Sequence, residues 1–290
     1  MIDGRGRLDF VGLGLWGTEG IGAELSSVIR GASKVFAEFY TSLPGGVAIS
    51  DLQHKLGNNI ELLSREQVES GSGILEAASR NAVVFLTAGD SMSATTHVEL
   101  RLRALELGIP TRIYHAPSVL TAVPSELGLS HYKFGRVTTL VFPRKNFFPT
   151  SPYEAIRRNL ELGLHTLVLL DIVTGTSAQD EELLSGFPST EMDHQGIKFL
   201  LMDSRTGFEV IWEMERMEGK NILTPETLVC AVSRAGGKDV RVRSGYLEEM
   251  RKVDMGPPLH SIVIPGKLHF IETRALVKLA GAPKEILDCT

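Results

Sequence analysis

An aspartate stands where an apolar run stops. Val83-Val84-Phe85-Leu86-Thr87 leads into Ala88-Gly89-Asp90, and the small or hydroxylated stretch Ser91-Met92-Ser93-Ala94-Thr95-Thr96 separates it from His97. The pattern is that of a strand feeding a helix through a loop whose glycine lets a ligand approach the main chain closely. A carboxylate there can accept hydrogen bonds from the hydroxyl or amino groups of a ligand, at the strand end where open α/β sheets bind theirs. The same side chain has a plainer reading, as the cap of the helix that begins nearby. His97 reads first as an ordinary first-turn helix residue and second as a functional one.

Other residues offer different chemistry. Gly12-Leu13-Gly14-Leu15-Trp16-Gly17 has glycines at the first, third and sixth positions of a dinucleotide fingerprint. Glu38 lies about 20 positions on, where an acidic residue would meet a ribose hydroxyl. The following Thr18-Glu19-Gly20 argues against that reading, since it sets a carboxylate where a pyrophosphate needs bare amides. Ser118-Val119, after His115-Ala116-Pro117, offers a hydroxyl and a main-chain N–H just past a strand, or else a simple helix cap. His260, between Gly256-Pro257-Pro258-Leu259 and the apolar Ser261 to Ile264, is a structural histidine or a ligand contact. No Ser-His-Asp order is legible, and no His, Cys or Asp spacing suggests a metal. Group transfer from an activated donor then becomes attractive, methyl transfer from a sulfonium being one case. Such a donor carries its own leaving group, so the protein mainly supplies in-line positioning and desolvation.

The elements that must hold these residues alternate through the first 115 positions. Leu8 to Gly12, Lys34 to Phe39, Ile60 to Leu63, Val83 to Thr87 and Thr111 to His115 read as strands. Ile21 to Ile29, a short segment marked by Ile49, Leu52 and Leu56, and Val98 to Leu107 read as helices, the last with Leu100, Leu102 and Leu105 as its apolar pattern. This predicts a mostly parallel, helix-covered sheet. The second half is mixed, with strands at Val137 to Val141, Thr166 to Ile172, Leu228 to Val232, Val240 to Arg243 and Ser261 to Ile264. Its helices are expected at Phe208 to Met217, Tyr246 to Lys252 and Glu272 to Leu279. Ser151-Pro152-Tyr153-Glu154 has the form of a capped helix start. Val173 to Gly196 reads as an inserted surface excursion. The expected domains are 1–115, an N-terminal α/β domain, and 116–290, a C-terminal mixed α/β domain, with the bend at His115-Ala116-Pro117.

Length and charge narrow the class. The chain has 290 residues, a net charge of −5 and 43% hydrophobic residues, enough for two full cores. The charges are mixed, so neither nucleic acid nor a membrane is an expected partner. No apolar run reaches the roughly 18–20 residues of a membrane span, and no signal-peptide pattern opens the chain, so the expected location is the cytoplasm. Of the two cysteines, Cys230 sits inside Leu228-Val229-Cys230-Ala231-Val232 and reads as a small buried hydrophobe; neither it nor Cys289 has metal-type pairing.

Beyond these local readings, the chain resembles the diphthine synthase family over essentially its whole length. The resemblance is carried by Phe10-Val11-Gly12-Leu13-Gly14-Leu15, Glu38-Phe39-Tyr40-Thr41-Ser42, Ala88-Gly89-Asp90, Ala94-Thr95-Thr96-His97 and His115-Ala116-Pro117-Ser118. Later stretches include Pro149-Thr150-Ser151-Pro152-Tyr153, Arg234-Ala235-Gly236 and Gly256-Pro257-Pro258-Leu259-His260. Glu38 to Ser42 together with Ala94 to His97 points to this family; the Gly-Asp loop alone indicates only the wider tetrapyrrole-methylase-like superfamily. The resemblance implies two α/β domains of the tetrapyrrole-methylase type, with S-adenosylmethionine in the cleft between them, no metal, and a homodimer. It implies methylation of the amino group of a 3-amino-3-carboxypropyl histidine on elongation factor 2, repeated to the trimethylated diphthine, with S-adenosylhomocysteine as coproduct.

Carried over position by position, the implied cofactor contacts are Leu15, Asp90, Ser93, Ser118, Val119, Leu170, Ala235 and His260. No catalytic residue is assigned; His97, or a water held by Asp90, enters as a base on position alone. The sequence departs from the family in three places. Ser91 follows Asp90 where relatives carry proline, so the loop loses that fixed φ. Ser93 replaces an apolar residue. Met202-Asp203-Ser204-Arg205-Thr206 replaces the family's Met-Thr-x-Asn-Glu segment. Alternatives are a methyltransferase acting on a corrinoid or porphyrin precursor, an NAD-dependent oxidoreductase built on Gly12 to Gly17, and a non-catalytic nucleotide-sensing module.

Overall fold

The computed structural model describes residues 6–16, 21–40, 42–43, 45, 49–145, 147–174, 190–194 and 197–289. The chain divides into two compact units, Met1–Val119 and Leu120–Thr290.

The first unit is built on five parallel strands, β1 (Arg7–Gly12), β2 (Lys34–Glu38), β3 (Ile60–Leu62), β4 (Ala82–Thr87) and β5 (Thr111–Tyr114), in the order β3-β2-β4-β1-β5. Strands buried on both faces are mainly apolar along their centres, as β4 and the middles of β1 and β2 are. Leu8, Phe10, Phe36, Val83 and Phe85 pack with Val68, Ile74, Leu75, Ala78, Leu100 and Ala104. The intervening Val11, Val35, Ala37, Val84 and Leu86 are equally buried, and the pleat turns them to the opposite face. Gly12 and Glu38 both pair with Thr87, and Val11 pairs with Tyr114. The carboxyl ends of β1, β2, β4 and β5 therefore share one edge, and the loops leaving them are neighbours. The chain leaves β1 toward one side of the sheet and β4 toward the other, which makes their boundary a topological switch point.

The second unit carries β6 (Thr138–Leu140), β7 (Thr166–Leu170), β8 (Ile172–Thr174), β9 (Thr190–His194), β10 (Ile197–Leu201), β11 (Leu228–Ser233), β12 (Arg241–Tyr246) and β13 (His260–Ile264). Five of them form a mixed sheet, β12-β11-β13-β7-β6, in which only β6 and β7 run parallel. Its core joins Leu140, Val168, Val229, Ala231, Ile262 and Ile264 to Ile156 and to Phe208, Val210 and Ile211 of the helix Ser204–Glu218. The α/β class, the parallel first sheet and the mixed second sheet are as the sequence led us to expect.

Several local expectations are corrected. In the helix His97–Glu106, Leu102 and Leu105 are 54% and 49% exposed; the buried face is His97, Leu100 and Ala104, at helical spacing. Helices Arg65–Ser70 and Ser72–Arg80 were not anticipated. Ser64 and Gln67 form a reciprocal capping box, and Gly71 adopts a left-handed conformation that ends the first helix and opens the second. Ser151 lies inside its helix and does not cap it: Thr150 is the N-cap and its side chain makes no capping bond, while Glu154 is held by Arg157 and Arg158. The run Thr166 to Ile172 breaks at Asp171, whose carboxylate accepts from the Phe142 amide at 2.9 Å and whose carbonyl accepts from Met202 N.

The chain beyond that break enters a separate antiparallel sheet, β8-β10-β9. The two ends of the Val173 to Gly196 excursion are thus paired strands; positions 175–189 and 195–196 lie outside the described residues. Asp203 N-caps the helix Ser204–Glu218 through Thr206 N at 2.8 Å, which gives the substituted Met202 to Thr206 segment an ordinary helix start.

Candidate functional site

The loops at the shared carboxyl edge of the first unit are locked together by main chain. Gly14 N donates to Gly89 O at 3.1 Å, Gly89 N returns the bond to Gly14 O at 2.7 Å, and Leu13 N donates to Thr87 O at 2.9 Å. Gly14 and Gly89 both have positive φ, 78° and 67°. A Cβ at Gly12 would lie 2.5 Å from Gly89 O, 2.9 Å from Ala116 Cβ and 3.1 Å from Asp90 Cα. The first two glycines of the supposed dinucleotide fingerprint therefore serve close packing of the β1, β4 and β5 loops. With its N–H and carbonyl both spent on Gly89, Gly14 has no amide left for a pyrophosphate. The next helix, Ala23–Arg30, begins well past the motif, so its N-terminus does not follow the glycines directly. Gly17, Thr18, Glu19 and Gly20 lie outside the described residues.

Asp90 organises this cluster. Its Oδ1 accepts from Met92 N at 3.0 Å and Ser93 Oγ at 3.3 Å, and its Oδ2 accepts from His115 Nδ1 at 2.8 Å and Ala116 N at 3.2 Å. The first pair closes an Asx turn; the second ties the β4 loop to the β5 loop. Burial opposes ionisation of this carboxyl, but the Met92 amide, His115 and the Ala116 amide outweigh it and hold it below the ordinary aspartate value. Asp90 is not the helix cap that the sequence allowed. Thr96 is the N-cap of His97–Glu106 and makes no side-chain bond. The four donors occupy the roughly four acceptor directions of a carboxylate, so a ligand donor at Asp90 must replace one of them. His115, with 70% of its side chain exposed, is the partner most readily exchanged.

Of the positions carried over from the resemblance, Asp90, Ser93, Ser118, Val119 and Leu15 fall on these loops. Ser93 is bonded to Asp90, Ser118 is buried just before the helix Val119–Leu127, and Leu15 follows the Gly14–Gly89 bridge. Ser91 is fully buried and offers its carbonyl to His97 Nδ1 at 3.0 Å. His97 is itself buried, with that ring nitrogen turned toward main chain, so it is not poised as a base.

The remaining three belong to the second unit and lie at one edge of its sheet. Leu170 ends β7, His260 opens β13 opposite Ser233, and Ala235 follows Arg234 beyond β11. Both ring nitrogens of His260 are engaged. Nδ1 accepts from Ser204 N at 3.0 Å, so Nε2 carries the hydrogen that faces the carbonyls of Gly256 and Pro257 at 3.1 and 3.0 Å. Burial pushes its pKa down, which keeps the imidazole neutral. Its side chain is a staple between the Ser204 amide and the Gly256–Pro257 carbonyls. Arg234 is buried beside it and fastens the loop through Asp239 and Pro257. Cys230 is fully buried against Ser244, and burial pushes its thiol up to about 12. The side chain of Cys289 lies outside the described residues.

Among the described residues, no group of three or more His, Cys, Asp or Glu side chains could hold a metal ion. No described helix is long and apolar enough to cross a membrane.

Residues 7–251 match the model of the tetrapyrrole (corrin/porphyrin) methylases. The diphthine synthase of Methanosarcina barkeri is 40% identical over 281 residues, covering 95% of this chain and 97% of the relative. That of Methanosphaera stadtmanae is 37% identical over 280 residues, covering 97% and 98%. A crystal structure of diphthine synthase superposes with a TM-score of 0.81 at 30% identity, over 98% of this chain and 99% of the other.

Proposed function

The chain belongs to the tetrapyrrole methylases and, within them, to the diphthine synthases, S-adenosylmethionine-dependent methyltransferases of diphthamide biosynthesis, and from that premise we propose its substrate, product and site. The acceptor is the amino nitrogen of a 3-amino-3-carboxypropyl histidine on elongation factor 2, which gives up a proton to solvent before each transfer and is methylated until quaternary. The enzyme works as a homodimer in the cytoplasm. The observation that carries this reading is the Gly-Asp loop cluster at the carboxyl edge of a parallel sheet, in a chain that matches its diphthine synthase relatives from end to end.

The residues present suit such a cofactor. Positive-φ glycines bring main chain together beside one ionised carboxylate, and the exposed His115 leaves room for a ligand donor in its place. Asp90, Ser93, Ser118 and Val119 would hold polar edges, and Leu15 an apolar face. In the second unit the proposed contacts are Leu170, Ala235 and His260, with His260 acting through its main chain or ring face. When bound, S-adenosylmethionine supplies a methyl group on a sulfonium, so a C–N bond forms as the C–S bond breaks and the thioether keeps the electron pair. The chain's own task is to orient and desolvate, because the donor carries its own leaving group.

The test is mass spectrometry of elongation factor 2 bearing the precursor histidine, after incubation with enzyme and S-adenosylmethionine. The expected product carries three added methyl groups at that residue. Monomethylated product alone would overturn repeated transfer, and methylation of a porphyrin precursor in place of the factor would overturn the substrate.

A further inference from the structure

Two buried titratable side chains stand beneath the Asp90 loop with no part in the chemistry above. Glu38 ends β2 and His97 opens its helix; they are 0% and 2% exposed. His97 Nδ1 lies 3.0 Å from Ser91 O, a carbonyl that can only accept, so Nδ1 must carry a hydrogen. The ring is held edge-on to Phe85 at 5.0 Å and 88°. Its other nitrogen, Nε2, has no hydrogen-bond partner and lies 3.6 Å from Glu38 Oε1. Glu38 Oε2 accepts from Tyr40 N at 3.1 Å. Arg65 lies over the Tyr40 ring at 5.2 Å, and burial, followed by the Glu38 charge, raises the Tyr40 pKa and keeps its hydroxyl neutral.

A neutral imidazole with its hydrogen on Nδ1 turns a lone pair toward Glu38. An ionised Glu38 would turn another lone pair back. The buried His97 Nε2, otherwise without a partner, would face an acceptor, and one proton between it and Glu38 removes that conflict. We propose that Glu38 and His97 share one buried proton, and that the protonated pair is the positioning device of the Asp90 loop, acting through the His97 Nδ1–H bond to the Ser91 carbonyl. A carbonyl passes no proton onward, so the pair holds the loop and does not serve as a base. The hydroxyls of Thr87 and Ser91 are also buried without partners, so this one bond from His97 is a main polar anchor under the turn. The consequence for cofactor binding rests on the reading given above.

Two measurements on the full chain test this. In the first, nitrogen NMR of histidine-labelled protein, with His97 assigned by its loss in H97N, reports the ring's protonation. Infrared difference spectra against E38Q report the carboxyl. An imidazolium facing an ionised Glu38 or an Nδ1–H imidazole facing a protonated Glu38 is expected; a neutral ring facing an ionised Glu38 overturns proton sharing.

In the second, calorimetric titration with S-adenosylhomocysteine compares H97N, whose amide takes the place of Nδ1, with H97Q, whose amide takes the place of Nε2. H97Q should weaken binding about tenfold or more, and H97N should restore it to within about threefold of the wild type. Equal binding by H97Q and the wild type would overturn the positioning role. A wild type that shows the shared proton but binds no S-adenosylhomocysteine would instead overturn the cofactor reading and leave the pair standing.

Discussion

Replacing Asp90 with asparagine tests whether its carboxylate organises the loops or merely lies among them. The variant keeps the shape but turns one oxygen into a donor. If the remaining oxygen faces Met92 N and Ser93 Oγ, the new amide confronts the Ala116 N–H, and a main-chain donor loses its acceptor. If the side chain flips, the Met92 amide is stranded and the Asx turn opens. Either way one charge-assisted bond is lost and one donor is orphaned, about 1–3 kcal/mol. Spent on ordering the loop, that weakens binding of S-adenosylhomocysteine about 5-fold to 150-fold.

Titration calorimetry reads the affinity, and hydrogen exchange at Met92, Ser93 and Ala116 reads the loop. The sign with pH follows from the lowered pKa of Asp90. The charged form is present at and above the ordinary aspartate range of about 4, and its contribution is lost only as pH falls through the lower folded value. Wild-type affinity should therefore stay level from neutral pH down to that range. Wild-type affinity in D90N, with unchanged protection at Met92 and Ala116, would refute the argument.

Two further perturbations separate packing from charge. Gly12→Ala places a Cβ against Gly89 O, Ala116 Cβ and Asp90 Cα, an overpacking of about 1–3 kcal/mol at the edge where the loops meet. Denaturant melts should show that loss, and calorimetry a drop in S-adenosylhomocysteine affinity. Gly73→Ala, in a helix with open space around the new methyl, should instead stabilise by about 0.5–1 kcal/mol and leave affinity alone. The second charge test concerns Glu272, which accepts from the Ser130 and His269 amides and His165 and pairs with Lys133. Burial opposes its ionisation, but Lys133 and the two amides prevail and hold it at about 2. That contribution, about 3 kcal/mol, is fully present above about pH 4.5 and is lost as pH falls toward 2. Glu272→Gln should lower stability in urea at pH 7 by about that much and converge with the wild type near pH 2; a constant gap across the range would overturn it.

What the sequence disclosed follows from how local each cause is. The strands announced themselves because buried parallel strands must be apolar on both faces, and Val83 to Thr87 is so without interruption. Helices Arg65–Ser70 and Ser72–Arg80 did not, because Ser, Glu and Gly dilute their apolar stripe. The Ser64-x-x-Gln67 capping box was the signal that could have found them. Leu102 and Leu105 misled because hydrophobicity marks a helix face but not which face the sheet covers. The Asp90 loop was legible as a strand-end loop with one carboxylate. Its partners were not, since Ala116 and His115 lie 26 and 25 residues away and meet it only through sheet order. Glu38 and His97 belong to the same class: each was singled out separately, but their pairing is visible only once β2 and β4 are seen to be neighbours.

That dependence on sheet order explains why glycine and aspartate recur together here. A carboxylate at a strand end can gather the neighbouring loop only if main chain approaches within hydrogen-bond reach, and Gly12 permits the approach that a Cβ would block. Once gathered, the loop has its internal donors satisfied before any ligand arrives, and it is held from below by His97. Such a site pays little to order itself on binding. In the site proposed above, specificity then turns on the one exposed partner of Asp90, His115, which a ligand donor can displace. On this argument Asp90 matters less as a contact than as the group that decides where the contacts are.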